Sequence, residues 1–224
     1  MASHLTSLIV NSRSKHTATV VFLHGLGDSG AGWSFLAEEL SNIFPYIKWV
    51  LPNAPSRPIT LNGGYKMPGW FDITGLDKSS LNDEDEKGML DSLTSINQII
   101  RQEVENGIPS ERIIVGGFSQ GGVMSLLTGL TSEYKFGGVI GCSCWLALAE
   151  KMKTMGSEAN KKTPVLMCHG TADNVVQYQF GKESSEALKN YGYDVTFKSY
   201  SGLAHSASPQ ELRDISDFIK ARLS

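Results

Sequence analysis

The sequence is poor in residues that bind metals. Its 224 residues include three cysteines and five histidines. Cys142, Cys144 and Cys168 all fall in apolar, strand-like runs, and no second pair of cysteines or histidines follows Cys142-x-Cys144 at the spacing of a zinc site. We therefore expect buried, reduced thiols, no metal and no other cofactor.

Long hydrophobic runs and blocks of like charge are also missing. No apolar stretch reaches the roughly 18 residues of a membrane span, and the first residues lack the basic and apolar parts of a secretory signal. The formal net charge is −3, and the lysines and arginines are scattered along the chain, which argues against a nucleic-acid partner. These absences predict a soluble protein of the cytoplasm.

Short β-rich runs alternate with amphipathic helical patterns along the chain. Strands are predicted at residues 18–23, 47–51, 112–116, 136–142, 163–168 and 193–199. Helices are predicted at residues 32–43, 83–106, 119–131, 176–191 and 209–223. Because the strands are apolar throughout, we expect a mostly parallel sheet with helices on both faces, in a single α/β domain over residues 1–224.

A long segment rich in proline and glycine, residues 52–82, interrupts this alternation. It also carries the apolar residues Trp70, Phe71 and Ile73. Loops of this length in a compact domain are usually functional. The same side chains would equally serve to cover the core beneath a long connection, and both interpretations stay open.

An acidic cluster, residues 83–86, follows this segment. Consecutive carboxylates would suit a metal ion, but acids in a first helical turn also offset the positive end of the helix, and Asn82 is a suitable cap. We interpret the cluster as the start of a helix.

The most informative motif is residues 112–122, where a β-branched run leads through a glycine-flanked serine into a helical pattern. This order is typical of a nucleophile elbow, in which a serine occupies a sharp strand-to-helix turn. Gly117 and Gly121 avoid clashes around Ser119, and the helix N-terminus points at the same place. A flexible Gly-Ser-Gly turn is the alternative, but the flanking strand and helix favour Ser119 as a nucleophile.

A serine nucleophile needs a base. His4 and His16 lie in early residues of weak pattern and are interpreted as solvated. His24 and His169 each close a strand as His-Gly, where imidazole commonly bonds to loop backbone. His205 follows the last strand and precedes the last helix, where the base is expected in this fold, so we predict that it is the base.

The acid of such a triad lies on the loop after the penultimate strand, between serine and histidine in chain order. Asp173 meets both conditions. Asp194 is the alternative, but it lies inside a strand pattern. Asp173 would also serve as a helix cap, although a triad without an acid leaves the imidazole tautomer unfixed.

An oxyanion hole needs two N–H donors, one from the residue after the nucleophile and one from a loop after an early strand. Gln120 is predicted to supply the first and Leu26, in the loop 24–30, the second. A phosphate-binding loop is excluded because this loop lacks both G-x-G-x-x-G and the P-loop lysine.

With these segments placed, the chain closely resembles the acyl-protein thioesterase/lysophospholipase family of small α/β-hydrolases. The resemblance spans nearly the full length and is carried by residues 22–30, 52–55, 67–73, 107–110, 116–122, 143–146, 168–170 and 205–206. It implies a triad of Ser119, Asp173 and His205, oxyanion N–H groups from Leu26 and Gln120, and an acyl-binding wall that includes Ile73, Leu76 and Trp145.

The resemblance also implies an activity. Members of the family remove S-acyl groups from cytosolic proteins and hydrolyse lysophospholipids and small esters, without a metal or cofactor. A carboxylesterase or lysophospholipase with the same machinery is one alternative, and a non-catalytic receptor or scaffold is another. A homodimer and transient contact with a membrane surface are both compatible with this assignment.

Overall fold

The computed structural model describes residues 5–80 and 84–224. Its centre is a seven-stranded sheet in the order β1-β3-β2-β6-β7-β8-β9, and β4 and β5 form a separate hairpin. Only β1 is antiparallel to its neighbour in the described sheet. The strands are β1 Ser7–Val10, β2 Ala18–Leu23, β3 Ile47–Pro52, β4 Ser56–Ile59, β5 Tyr65–Pro68, β6 Ile113–Phe118, β7 Gly138–Cys142, β8 Val165–Gly170 and β9 Val195–Tyr200.

Helices cover both faces of this sheet. They are α1 Ser34–Ser41, α2 Glu86–Glu105, α3 Gln120–Thr131, α4 Met152–Met155, α5 Tyr178–Asn190 and α6 Pro209–Leu223. Alternate residues of the central strands point to opposite faces, so Val21 and Val115 pack with α2 and α3, whereas Val20 and Ile114 pack with α1 and α6. The predicted α/β architecture, with a mostly parallel sheet between two helical layers, is confirmed.

The predicted central strands and helices agree with the structure to within three residues at nearly every end. The edge strand β1 and the hairpin β4–β5 were not predicted. Leu8 and Ile9 of β1 are both more than one third exposed, so the strand has no clear alternation of buried and exposed residues. The hairpin contains Pro58 and Pro68, which disguise it as a loop.

The long segment does more than cover the core. Trp70 and Phe71 are fully buried, which fits the covering interpretation. Ile73 lies at the wall of a cleft, which fits the functional one. Both interpretations therefore describe part of the segment.

The acidic cluster begins a helix, as predicted, but its cap differs. Asp85 is the N-cap of α2, and its carboxylate accepts a hydrogen bond from the Gly88 N–H at 2.9 Å. Glu84 accepts from the Leu148 N–H, and Glu86 pairs with Lys151. The proposed cap Asn82 and the first acid Asp83 lie outside the described residues.

Within residues 5–80 and 84–224, we find no helix that combines the length and the apolar character needed to cross a bilayer.

Candidate active site

Ser119 lies at the sharp turn between β6 and α3. Its φ of 54° and ψ of −123° are unusual for a residue with a side chain, and backbone strain of this kind is typical of a nucleophile elbow. A Cβ on Gly117 would lie 2.3 Å from the Gly121 carbonyl oxygen, and one on Gly121 would lie 2.1 Å from the Leu23 carbonyl oxygen. Both positions therefore require glycine, as the sequence predicted.

The three residues predicted as a triad form one hydrogen-bonded series. His205 Nε2 lies 3.0 Å from Ser119 Oγ, and His205 Nδ1 lies 2.7 Å from Asp173 Oδ2. With a proton on Nδ1, the imidazole donates to Asp173 and offers Nε2 as acceptor to the Ser119 hydroxyl. Asp194, the alternative acid, is exposed and lies immediately before β9.

Asp173 is buried, yet several donors stabilise its charged form. Burial alone would raise the pKa of this carboxyl, but hydrogen bonds from His169 and His205 outweigh it and hold the pKa well below its usual range. The backbone N–H groups of Val175 and Val176 also donate to Oδ1, each at 2.9 Å. The carboxylate is therefore ionised at neutral pH and supplies a fixed negative charge beside His205.

The other described histidines do not contact Ser119, although His169 Nε2 lies 3.5 Å from Asp173 Oδ2. His24 bonds to the Gly25 carbonyl oxygen and the Ala54 N–H, and His169 bonds to the Val176 carbonyl oxygen, so both serve loop backbone as predicted. His16 was predicted to be solvated, which is wrong, because it is partly buried and bonds to a threonine hydroxyl. His4 lies outside the described residues.

An aromatic stack supports His205 from one side. The Phe118 ring centroid lies 4.7 Å from that of His205, and Trp33 follows at 5.2 Å from Phe118. Trp33 in turn packs on Phe22 in the core at 4.7 Å. The stack restricts the imidazole plane, and no motif in the sequence signals it.

Leu26 and Gln120, the two predicted oxyanion residues, line the same cleft as Ser119. Gln120 is the first residue of α3, so its N–H has no acceptor within the helix. Among the described residues, the Leu26 N–H also has no hydrogen-bond partner, whereas the next N–H, of Gly27, donates to Pro68. Unpartnered donors beside a strained serine are the arrangement that stabilises an oxyanion.

The Gln120 side chain has a role that sequence analysis missed. Its amide donates to the Phe71 carbonyl oxygen and accepts from the Trp70 N–H, each at 2.7 Å. The Trp70 indole donates to the His24 carbonyl oxygen at 2.8 Å, and Ser92 donates to the Trp70 carbonyl oxygen. The long segment is thus fixed directly to the residue that follows the nucleophile.

Ser119 opens into a cleft of about 470 Å³. Seven of the eight residues predicted for the site line this cleft: Ser119, His205, Leu26, Gln120, Ile73, Leu76 and Trp145. The eighth, Asp173, lies behind His205. Phe35, Leu61 and Val175 also line the cleft and are each about two fifths exposed. The cleft therefore has an apolar wall and an apolar rim around a polar centre.

The geometry can be compared with known proteins. A sequence model of the phospholipase/carboxylesterase family matches residues 4–223. The chain belongs to this family. Phospholipase/carboxylesterase proteins are α/β-hydrolases, so the chain is a serine hydrolase by family, and the resemblance inferred from its sequence is confirmed.

Relatives within the phospholipase/carboxylesterase family are similar over their full length. Acyl-protein thioesterase 1 of Cryptococcus neoformans var. neoformans serotype D is 44% identical over 237 residues, which cover 100% of both proteins. Acyl-protein thioesterase 1 of Emericella nidulans is 46% identical over 221 residues, which cover 94% of this chain and 92% of the relative.

Solved structures agree with this family assignment. The crystal structure of Zea mays acyl-protein thioesterase 2 covers 98% of this chain and 99% of its own, with a TM-score of 0.88 and 34% identity. That of Arabidopsis thaliana SOBER1 covers 92% and 99%, with a TM-score of 0.87 and 34% identity.

Proposed function

We propose that this protein is an acyl-protein thioesterase that removes palmitoyl groups from cysteine side chains. The observation that carries the proposal is the joint placement of the Ser119–His205–Asp173 series, two unpartnered N–H groups and an apolar wall in one cleft. The names of the full-length relatives support the thioester substrate.

The first half of the reaction forms an acyl-enzyme. Ser119 Oγ attacks the thioester carbonyl carbon while His205 Nε2 takes the hydroxyl proton. The N–H groups of Leu26 and Gln120 donate to the oxyanion of the tetrahedral intermediate. The C–S bond then breaks. The cysteine sulfur leaves as a thiol that takes the proton from His205, or as a thiolate, in which case His205 releases its proton to solvent before the second half.

The second half releases the fatty acid. Water attacks the acyl-serine carbonyl carbon while His205 takes its proton, and the same N–H groups stabilise the second oxyanion. Collapse breaks the bond to Ser119 Oγ, which recovers its proton from His205. Asp173 keeps the imidazole in the reactive tautomer and stabilises the imidazolium formed in each half.

Ile73, Leu76 and Trp145 are proposed to hold the acyl chain. Each buried CH₂ group contributes roughly 0.8 kcal/mol, so rates should climb with acyl length until the wall is covered. Leu76→Ser should flatten this climb without slowing hydrolysis of an acetyl ester. Equal losses on both substrates would mean that the segment is structural only.

The proposal includes partners and a location. S-acylated proteins are the main substrates, with lysophospholipids and small esters as further ones, and the protein works in the cytoplasm with transient contact to membrane surfaces. Whether it forms a homodimer is tested by light scattering over a range of concentrations.

The deciding experiment compares kcat/KM for a palmitoylated peptide, the matched oxygen ester and a lysophospholipid under identical conditions, with Ser119→Ala as blank. A thiol has a pKa near 8.5, so a thiolate departs with little help, whereas an alkoxide needs a proton from His205. The acylation burst should therefore be faster with the thioester. A higher kcat/KM for the lysophospholipid would favour a lysophospholipase. If the wild-type protein neither turned over any substrate nor reacted with a fluorophosphonate, a receptor would be favoured.

A further inference from the structure

Three ligating side chains meet in the core, away from the cleft. The sulfur atoms of Cys142 and Cys168 and a carboxylate oxygen of Glu211 all lie within 4.8 Å of one another. Cys142 and Cys168 are register partners on β7 and β8, so their side chains share a face of the sheet. Glu211 reaches them from the first turn of α6, and each of the three residues is at most 1% exposed.

Glu211 is the unusual member of this cluster. Neither of its carboxylate oxygens has a hydrogen-bond partner among the described residues. A buried polar group without a partner is rare in folded proteins and calls for a compensating proton, water or ion.

We propose that Cys142, Cys168 and Glu211 bind a thiophilic divalent cation, with zinc as the fitting ion. Thiolate and carboxylate are both zinc ligands, whereas magnesium and calcium prefer oxygen alone. Zinc–sulfur bonds of about 2.3 Å place two sulfur ligands roughly 3.8 Å apart, so the cluster needs to contract by at most about 1 Å. Two thiol protons pass to solvent when the ion binds.

A further polar group borders the cluster. The Tyr200 hydroxyl lies 3.3 Å from Cys168 Sγ and donates to Asp214 Oδ2 at 2.9 Å. The sequence predicted no metal at Cys142-x-Cys144, and the proposed site uses a different pair of cysteines. Cys144 packs on the opposite face of the sheet and takes no part.

The position of the cluster suggests what a bound ion does. The Cys142 carbonyl oxygen accepts the Ser119 N–H at 2.8 Å, Cys168 precedes the loop that carries Asp173, and Glu211 follows the loop that carries His205. An ion here joins the three chain segments that support the site. Its role is therefore structural, and it touches no reacting atom.

The test measures metal directly. Full-length protein is expressed with added zinc, passed through a desalting column and analysed for metal by mass spectrometry, and metal-free protein is titrated with cadmium while the ultraviolet thiolate-to-cadmium absorption is followed. We expect one zinc ion per chain and a cadmium band that saturates at the same ratio. A chelator should lower the unfolding midpoint of the wild-type protein.

Matched variants assign the site. Cys142→Ser and Glu211→Gln should lose the bound zinc, whereas Cys144→Ser, which changes an equally buried thiol two residues away, should keep it. Failure of wild-type protein to hold zinc or to give the cadmium band would overturn the proposal, even if a variant did not fold. Equal loss in Cys144→Ser and Cys142→Ser would also overturn it.

Discussion

Two clusters at opposite ends of the sheet use the same types of side chain in a different order. The first, here called the Ser119 cluster, is Ser119, His205 and Asp173. In the second, here called the Thr19 cluster, Thr19 donates to Glu103 at 2.8 Å, His16 lies 2.9 Å from the Thr19 hydroxyl, and Lys48 pairs with Glu103 at 2.6 Å. The hydroxyl proton therefore points to a carboxylate that a lysine already neutralises.

The order of donors explains why one cluster is proposed to be catalytic and the other structural. In the Ser119 cluster the imidazole stands between hydroxyl and carboxylate, so it can accept the hydroxyl proton while its own charge is stabilised. In the Thr19 cluster the hydroxyl stands between imidazole and carboxylate, so the imidazole receives no support from the carboxylate, which pairs with Lys48 instead. Residue types alone do not make a nucleophile.

Removal of each hydroxyl gives the largest expected contrast. Ser119→Ala should lower kcat by about 10⁶-fold, as removal of a nucleophile does in serine hydrolases. Thr19→Val should leave kcat within about twofold of wild type, but it should lower the free energy of unfolding by about 1–3 kcal/mol because Glu103 loses a buried donor. Steady-state kinetics measure kcat, and urea unfolding measures the free energy of unfolding. A large loss of kcat in folded Thr19→Val would break the comparison.

Removal of the carboxylate charge of Asp173 or of Glu103 gives the next largest expected contrast. Asp173→Asn should lower kcat by about 10⁴-fold because the imidazole loses its orientation. Glu103→Gln should leave kcat nearly unchanged while it destabilises the fold, since Lys48 is left without its ion pair. Asp194→Asn, at the exposed rival position, should be silent in both measurements. If Asp194→Asn and Asp173→Asn exchanged these effects, Asp173 would not be the acid.

The smallest expected effect is on the pH dependence of stability. The two clusters contribute to stability over different pH ranges. Burial is the main cause that lowers the pKa of His16, with Lys48 adding to it and Glu103 opposing it. The native state then binds fewer protons than the unfolded one, so this contribution is complete above the unfolded pKa of about 6.5 and is lost as the pH falls below it. His16→Gln should flatten that part of the curve.

Asp173 acts in a more acidic window. Its pKa is depressed in the folded state, where it faces His169 and His205, so its contribution is complete above the unfolded pKa of about 4 and is lost below it. Urea unfolding at a series of pH values should show that Asp173→Asn flattens the curve below about pH 4, whereas His16→Gln leaves that part unchanged. An unchanged curve below pH 4 in Asp173→Asn would contradict the assignment of the acidic window to Asp173.

The sequence predicted the candidate site residues better than it predicted the contacts that hold these residues in place. Ser119, Asp173 and His205 could be found because each lies at a strand end, and parallel strands bring their carboxyl ends to one edge. The stack of Phe118 on His205 and the bonds of the Gln120 side chain could not be found, because they join residues from distant parts of the chain. The hairpin β4–β5 was missed for a different reason, because its prolines and glycines are also typical of loops.

The Gln120 bonds to the long segment have a consequence for its dynamics. Hydrogen exchange in a loop usually proceeds through small local openings, but the Trp70 N–H can exchange only when the Gln120 amide releases it. That release also frees the segment from the N-terminus of α3. The Trp70 amide should therefore exchange as slowly as amides in the central strands, although it belongs to no helix or strand of its own.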